Sequence, residues 1–182
     1  MVETSEIVWR PSNERVEAAR LTALIRQMGA SDYHDLYARS VADPAWFWDG
    51  LLSFLDIRFY RPYDTILDTS RGKAWADWCV GGTTNLYLNC IEKHRETETW
   101  NKPFIEWQGE RTRTLSYADF DGEVNRLAAA LQSLGVVQGD VVGLYLPMIA
   151  EVYVAFFACA KIGAVNMPLF SGFGPSPITT RL

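Results

Sequence analysis

Residues 141–173 constrain the fold more than any other part of the sequence. An apolar run over 141–146 stops at Pro147, a mixed apolar segment continues to Lys161, and a second apolar run covers 164–169. This order predicts a strand, a helix and a strand. Because both flanking runs are apolar on consecutive residues, we expect two parallel strands that are buried on both faces.

The loop after the second predicted strand is the first place to look for function. Two parallel neighbours joined through a helix need a right-handed crossover, which brings the loop after Leu169 to the carboxyl edge of the sheet. Open α/β sheets bind their ligands at this edge. The loop consists of Phe170, Ser171, Gly172, Phe173, Gly174 and Pro175.

Length and charge exclude several classes of protein. A chain of 182 residues can bury about 70% of its unfolded surface, and with seven tryptophans it is not a disordered chain. Its net charge of -5 gives no electrostatic reason to expect a nucleic acid or an anionic membrane as partner. A small molecule or another protein is the expected partner.

The cysteines and histidines indicate a reducing compartment and no metal centre. Cys79, Cys90 and Cys159 lie far apart, and their odd number leaves a thiol unpaired, which predicts a cytoplasmic protein. His34 and His94 have no cysteine or second histidine at ligand spacing, so we expect no metal site from these residues.

The first hundred residues have mainly helical patterns. One helix is predicted from a cap at Ser12 or Asn13 to Gly29, a second after Asp32, and a third capped by Asp43 with Pro44 in its first turn. The third helix has an apolar face that we assign to core packing. A short strand is predicted at 65–67 within an extended connection over 59–78.

Glycines 81 and 82 precede a predicted helix over 86–91 and resemble a phosphate-binding loop. The lysine of a P-loop is absent, and Thr84 makes an ordinary N-cap. We therefore favour a structural turn at this position.

The chain turns polar around residues 97–103, where we place the main domain boundary. Beyond it, 104–107 and 111–115 predict a hairpin whose turn is 108–110. The following helix starts with a capping box of Ser116 and Asp119. Its apolar stripe consists of Phe120, Val124, Leu127, Leu131 and Leu134.

Motifs that carry catalysis are missing from these residues. The sequence has no G-x-S-x-G, G-x-x-x-x-G-K-[ST], H-E-x-x-H or G-x-G-x-x-G. Lys161 and Asp140 are expected at the solvated surface. Residues 177–182 begin a helix without a cap or polar tail, and two parallel strands cannot cover their own edges, so we expect the chain to be a truncated piece.

Residues 139–173, together with LSYADFDGEVNRLAAALQSLGV at 115–136, resemble the early large domain of AMP-forming acetyl-CoA synthetases and related acyl-CoA synthetases, which are adenylate-forming enzymes. The segments AWFW at 45–48 and WCVGGTTNL at 78–86 are similar to the N-terminal region of the acetyl- and propionyl-type enzymes. The FSGF loop favours the acetyl over the acetoacetyl branch. The implied fold class is α/β: a helical N-terminal segment over 1–100, then the start of a doubly wound, mainly parallel sheet domain over 101–182, incomplete as an adenylate-forming large domain.

The resemblance implies a two-step ligase that uses ATP, coenzyme A and Mg. The family's phosphate loop, metal segment, hinge acid and catalytic lysine would lie beyond Leu182, so no catalytic residue is assigned. Phe170, Ser171, Gly172 and Phe173 match a region beside the nucleotide end of coenzyme A. Gly172 would let a ligand approach the backbone closely, although a simple turn explains it equally well. Ser171 stands where a glycine is common.

Two other hypotheses compete with a ligase segment. A non-enzymatic assembly module would pair its exposed sheet edge with a partner and form a tight oligomer of measurable size. A small flavodoxin-like cofactor domain is disfavoured because the sheet has too few strands. No nucleic acid or membrane partner is expected, no ligand is expected to bind the segment tightly, and the substrate acid and oligomeric state are left open.

Overall fold

A computed structural model of the 182-residue chain describes residues 8–109 and 112–181. The chain divides into two compact units. The first comprises the described residues up to Ile57 together with Arg61–Gly82, and the second comprises Arg58–Tyr60 and Thr83 onward. The domain boundary predicted around residues 97–103 stays a prediction.

The first unit is mainly helical, as predicted. Its elements are α1 (Asn13–Glu17), α2 (Arg20–Gln27), α3 (Tyr33–Ala42), α4 (Pro44–Phe54), β1 (Thr65–Asp68) and β2 (Asp77–Val80). The side chains of Ser12, Asp32 and Asp43 accept hydrogen bonds from the first turns of α1, α3 and α4, which confirms the predicted caps.

The single helix predicted from Ser12 to Gly29 is two helices. Ala19 has an extended backbone with φ -70° and ψ 134°, so α1 and α2 are separated there. The hydroxyl of Thr22 donates to the carbonyl of Val16, which satisfies an acceptor that a continuous helix would have used. The periodic pattern of apolar residues predicts the helical conformation of both segments but not the break between them.

The core of the first unit lies where α2, α3 and α4 meet. Leu24, Met28 and Leu36 are buried, and most of the apolar face of α4 packs against them, which confirms its assignment to core packing. Leu55, which was also predicted to belong to this face, follows the last residue of α4 and is 43% exposed. The packed α4 residues are Trp46, Phe47, Leu51 and Phe54.

The connection over 59–78 contains more regular structure than predicted. Strand β1 confirms the short strand at 65–67, and it pairs antiparallel with β2, which the sequence pattern did not predict. Thr65 lies opposite Val80 and Leu67 opposite Trp78. The sequence of β2 does not alternate between polar and apolar residues, because Trp78 and Val80 are apolar although both are exposed.

The second unit holds most of the sheet structure. Its elements are α5 (Leu86–Cys90), β3 (Pro103–Gln108), β4 (Thr112–Ser116), α6 (Tyr117–Ser133), β5 (Val141–Tyr145), α7 (Ala150–Ile162), β6 (Val165–Leu169) and α8 (Pro175–Thr179). Short 3-10 turns occur at Lys73–Trp75 in the first unit and at Glu92–His94 and Glu98–Asn101 in the second.

The predicted hairpin is confirmed by the antiparallel pairing of β3 with β4. Glu110 and Arg111, part of its predicted turn and second strand, lie outside the described residues. The indole of Trp107 donates to the carbonyl of Met148 at 2.8 Å. The hairpin is therefore fastened to the start of α7.

Helix α6 begins with the predicted capping box. The Asp119 amide donates to the Ser116 hydroxyl at 3.1 Å, and the Ser116 amide donates back to the Asp119 carboxylate at 3.2 Å. The Ser116 hydroxyl also donates to the Asp119 carboxylate at 2.6 Å. This hydrogen bond and the one from the Ser116 amide lower the pKa of Asp119. Phe120 and Val124 of the stripe are fully buried, whereas Leu134, predicted to belong to it, is 81% exposed because it caps the helix end.

Strands β5 and β6 pair in parallel, which confirms the central prediction. Their expected burial on both faces is wrong. Leu144 packs under α7 with Ala155 and Cys159, whereas Val141 and Val165 are at least half exposed. The described residues place helices on only one face of this pair, so the α/β class is confirmed without a second helical layer.

Replacing Ser116 with alanine should lower the free energy of unfolding by about 1 kcal/mol, because α6 loses its N-cap. Urea denaturation followed by circular dichroism would measure the change. The control is Ser133→Ala in the last turn of the same helix, where the exposed hydroxyl donates to the Ala130 carbonyl. This control should cost less than about 0.5 kcal/mol, and equal losses would contradict the assigned role of the cap.

Candidate functional site

The carboxyl ends of β5 and β6 lie side by side, because Tyr145 is the register partner of Leu169. Gly163, at φ 76°, ends α7 and turns the chain back into β6. The loop that follows Leu169 therefore leaves at the same edge as the loop that follows Tyr145. This is the position predicted for a ligand-binding loop.

The loop over residues 170–173 forms a closed turn. The amide of Phe173 donates to the carbonyl of Phe170 at 2.9 Å. The two phenylalanine rings meet edge to face, with centroids 5.6 Å apart. Phe170 is nevertheless 67% exposed, so the turn presents one flat aromatic ring to its surroundings.

Gly172 occupies the tip of this turn and is exposed. A Cβ added to it would lie 2.6 Å from Cε1 of Phe170, closer than nonbonded carbon atoms approach. The backbone of Gly172 is outside the left-handed region, so its conformation does not require glycine. The absence of a side chain instead leaves room for the Phe170 ring. Ser171 is also exposed, and its carbonyl accepts a hydrogen bond from the hydroxyl of Tyr145 at 3.2 Å.

The loop is suited to binding rather than to proton transfer. Residues 170–173 carry one hydroxyl and no titratable side chain. The guanidinium of Arg181 stacks over the ring of Phe173, 4.5 Å from its centroid. An exposed ring, an accessible backbone turn and a nearby cation can hold a planar, negatively charged ligand.

A cluster of hydrogen-bonded polar side chains, called the polar group below, lies inside the second unit, and the sequence did not predict it. The hydroxyl of Tyr87, which is 1% exposed, donates to the buried carboxylate of Asp121. Arg95 donates to both the Tyr87 oxygen and the Asp121 carboxylate at 3.0 Å. Asn125 donates to the same carboxylate at 2.9 Å, so the buried charge has three donors.

Lys161 completes this polar group. Its ammonium donates to the side-chain oxygen of Asn125 and lies 4.1 Å from the centroid of the Tyr87 ring. Burial lowers the pKa of Lys161. Lys161 is partly buried and not fully solvated as predicted, because α7 packs against α5 and α6 there. Asp140 is exposed as expected.

The sequence places two of these polar residues on one face of α6 but does not predict their burial. Asp121 and Asn125 are four residues apart on α6, next to the buried positions Phe120 and Val124. Polar residues that flank an apolar stripe at this spacing share one helix face and are normally solvated. Their partner Tyr87 comes from a distant segment, which the pattern could not identify.

The glycines before α5 form a turn. Gly81 has φ 79°, a backbone conformation that favours glycine, and a Cβ there would displace the exposed Asp64 carboxylate, whose nearer oxygen would lie 2.3 Å away. The predicted cap at Thr84 is wrong: the Asn85 side chain accepts from the Tyr87 amide at 2.8 Å. The Thr84 hydroxyl instead donates to the Arg58 carbonyl at 2.7 Å.

The described ranges contain neither a metal-binding cluster nor a helix that could span a membrane. Residues 8–109 and 112–181 contain no group of three or more His, Cys, Asp or Glu side chains that could hold a metal ion. In the same part of the chain, no helix is both long enough and apolar enough to cross a bilayer.

Two family models match the chain in succession. The acetyl-coenzyme A synthetase N-terminus model matches residues 33–90. The AMP-binding enzyme model matches residues 91–182, just over half of the chain.

Curated relatives agree with these matches. An acetyl-coenzyme A synthetase of Methylobacterium radiotolerans is 38% identical over 155 residues, which cover 82% of this chain and 24% of the relative. One of Magnetococcus marinus is 37% identical, with 82% and 23% covered. The chain thus spans about a quarter of the length of the curated relatives that it matches.

A solved structure has the same fold over nearly the whole chain. The acetoacetyl-CoA synthetase of Streptomyces lividans superposes with a TM-score of 0.85 at 29% identity. The superposition covers 97% of this chain and 28% of the solved one. The FSGF sequence of the loop predicted the acetyl branch and not the acetoacetyl branch, and this stays a prediction.

Replacing Tyr87 with phenylalanine should lower the free energy of unfolding by about 1–3 kcal/mol, because the buried Asp121 carboxylate loses a donor. Thermal or urea unfolding would measure the loss. The matched control is Tyr63→Phe, which removes a hydroxyl that donates to the exposed Asp49. The control should cost less than about 1 kcal/mol, and a larger loss in the control would contradict the role of burial.

The same variant should change the response to alkaline pH. Burial and the hydrogen bond to Asp121 raise the pKa of Tyr87 above its usual 10. A raised pKa contributes stability below pH 10 that is lost as pH rises through the folded-state pKa. Above about pH 10, the free energy of unfolding should therefore fall less steeply with pH in Tyr87→Phe than in the original protein, and an unchanged slope would refute this linkage.

Proposed function

The chain belongs to the AMP-binding enzyme family, and on this premise we propose that it is the N-terminal portion of an AMP-forming acyl-CoA ligase. The substrate acid would be acetate or a similarly short carboxylate. The observation that supports this most strongly is the succession of the synthetase N-terminus and the AMP-binding enzyme along one chain.

The proposed reaction has two steps. The carboxylate oxygen attacks the α-phosphorus of ATP, the bond to the β-phosphate oxygen breaks, and acyl-AMP and pyrophosphate form. The sulfur of coenzyme A then attacks the acyl carbon and displaces AMP, while the thiol proton leaves to solvent or base. We place this ligase in the cytoplasm, since its cysteines fit a reducing compartment. We propose neither a nucleic acid nor a membrane as partner.

We assign the loop over 170–173 to the binding of coenzyme A, beside its nucleotide end. Phe170 offers an exposed ring on which an adenine can stack. Gly172 is exposed and has no side chain, so a ligand can approach its backbone. The loop acts in the second step only, because the first step involves no coenzyme A.

ATP and Mg are assigned to other parts of the ligase. The described residues lack a carboxylate cluster for a cation, and the glycines at 81 and 82 form a structural turn. We therefore derive no step through the metal from this segment, and no catalytic residue is assigned within it.

The isolated 182-residue chain should have no ligase activity. Acetate-dependent release of AMP from ATP and coenzyme A should equal the rate without protein in a coupled assay. An acetyl-coenzyme A synthetase such as that of Cronobacter sakazakii would serve as the positive control. Turnover by the purified chain would show that the segment carries its own catalytic residues.

Replacing Phe170 with alanine in the complete ligase should raise the KM for coenzyme A by about tenfold, because a base-stacking contact of roughly 1–3 kcal/mol is lost. Acetate-dependent exchange of labelled pyrophosphate into ATP should stay unchanged. Tyr60→Phe, a variant distant in sequence with an exposed ring, serves as control. An unchanged KM for coenzyme A in Phe170→Ala would refute the assignment of the loop.

A further inference from the structure

The hydroxyl of Tyr145 links strand β5 to the loop over 170–173. Tyr145 is the last residue of β5 and lies beside Leu169, from which the loop departs. Its oxygen is 2.9 Å from the carbonyl of Phe173 and 3.2 Å from the carbonyl of Ser171. One hydroxyl proton is therefore shared between two acceptors on the loop.

These two carbonyls lie on either side of Gly172. A glycine has the widest backbone freedom of any residue, so the orientation of the turn depends on what fixes its neighbours. The hydrogen bond from the Phe173 amide to the Phe170 carbonyl closes the turn internally. It does not fix the orientation of the turn in relation to the sheet. The tyrosine supplies that relation, because its own position is set by the pairing of β5 with β6.

The orientation of the turn decides where Phe170 points. The Phe170 ring lies so close to Gly172 that a single Cβ would collide with it. A rotation of the peptide groups around Gly172 would therefore displace the ring. Within residues 8–109 and 112–181, the Tyr145 hydroxyl makes no other hydrogen bond. Tyr145 therefore acts on the ring through these two carbonyls.

We propose that Tyr145 is a positioning residue for coenzyme A, holding the turn so that Phe170 presents its ring to the carrier. This inference rests on the proposed function of the loop. Without the hydroxyl, the turn occupies its binding-competent orientation for a smaller fraction of the time, and the apparent affinity falls by that fraction. Acyl-adenylate formation does not use the loop and keeps its rate.

Tyr145→Phe in the complete ligase tests the proposal. The KM for coenzyme A should rise about 3- to 10-fold, the change expected when one hydrogen bond is lost. The kcat at saturating coenzyme A and the acetate-dependent pyrophosphate exchange should stay within twofold of the original. The matched control is Tyr153→Phe, which removes a hydroxyl from an exposed position on α7 and should change none of these quantities.

A second measurement follows the loop directly in the 182-residue chain. Amide hydrogen exchange at Phe173, whose N–H donates within the turn, should be faster in Tyr145→Phe than in Tyr153→Phe. This readout involves no ligand, so it tests the hydrogen bonds independently of catalysis. Equal exchange in the two variants would overturn the proposal.

Comparison with Phe170→Ala separates the two proposals. If Phe170→Ala raises the KM for coenzyme A and Tyr145→Phe does not, the positioning role is wrong and the loop assignment stands. If neither variant changes this KM, both are wrong. A Tyr145→Phe enzyme that loses pyrophosphate exchange in the same proportion has a general structural defect, which would also overturn the positioning role.

Discussion

Burial of helix α7 organises the second unit. One side of the helix packs against α6 and the hairpin through Ala150, Val154, Phe157 and Ala158. Its other side covers the strand pair through Ala155 and Cys159. Each fully buried large apolar side chain contributes about 1.5–3 kcal/mol, so this two-sided packing fixes the crossover between β5 and β6. The loop at the carboxyl edge owes its position to that crossover.

The buried carboxylate of Asp121 adds directional hydrogen bonds to this apolar packing. Apolar surfaces can slide with little penalty, whereas the Asp121 carboxylate is satisfied only when Tyr87, Arg95 and Asn125 reach it together. These donors come from α5, the turn after it and α6, and Lys161 of α7 joins through Asn125. The group thereby specifies how three helices align.

Local signals allowed much of the fold to be predicted from the sequence. Caps such as Asp43 and Ser116 and the parallel order of β5 and β6 depend on nearby residues, and the structure confirms them. The break at Ala19, the exposed faces of β5 and β6 and the partial burial of Lys161 depend on tertiary contacts. The loop at 170–173 was located by topology, whereas its anchoring by Tyr145 required coordinates.

The position of Tyr87 has a consequence for building chimaeras within this family. The two family models meet between residues 90 and 91, but the hydrogen bonds of α5 run to α6 and α7. Recombination at that junction would take Tyr87 from one parent and its contacts Asp121 and Lys161 from the other. A crossover ahead of Thr83 keeps them on one parent, although Arg58, whose backbone is bound by Asn89, would still have to be matched.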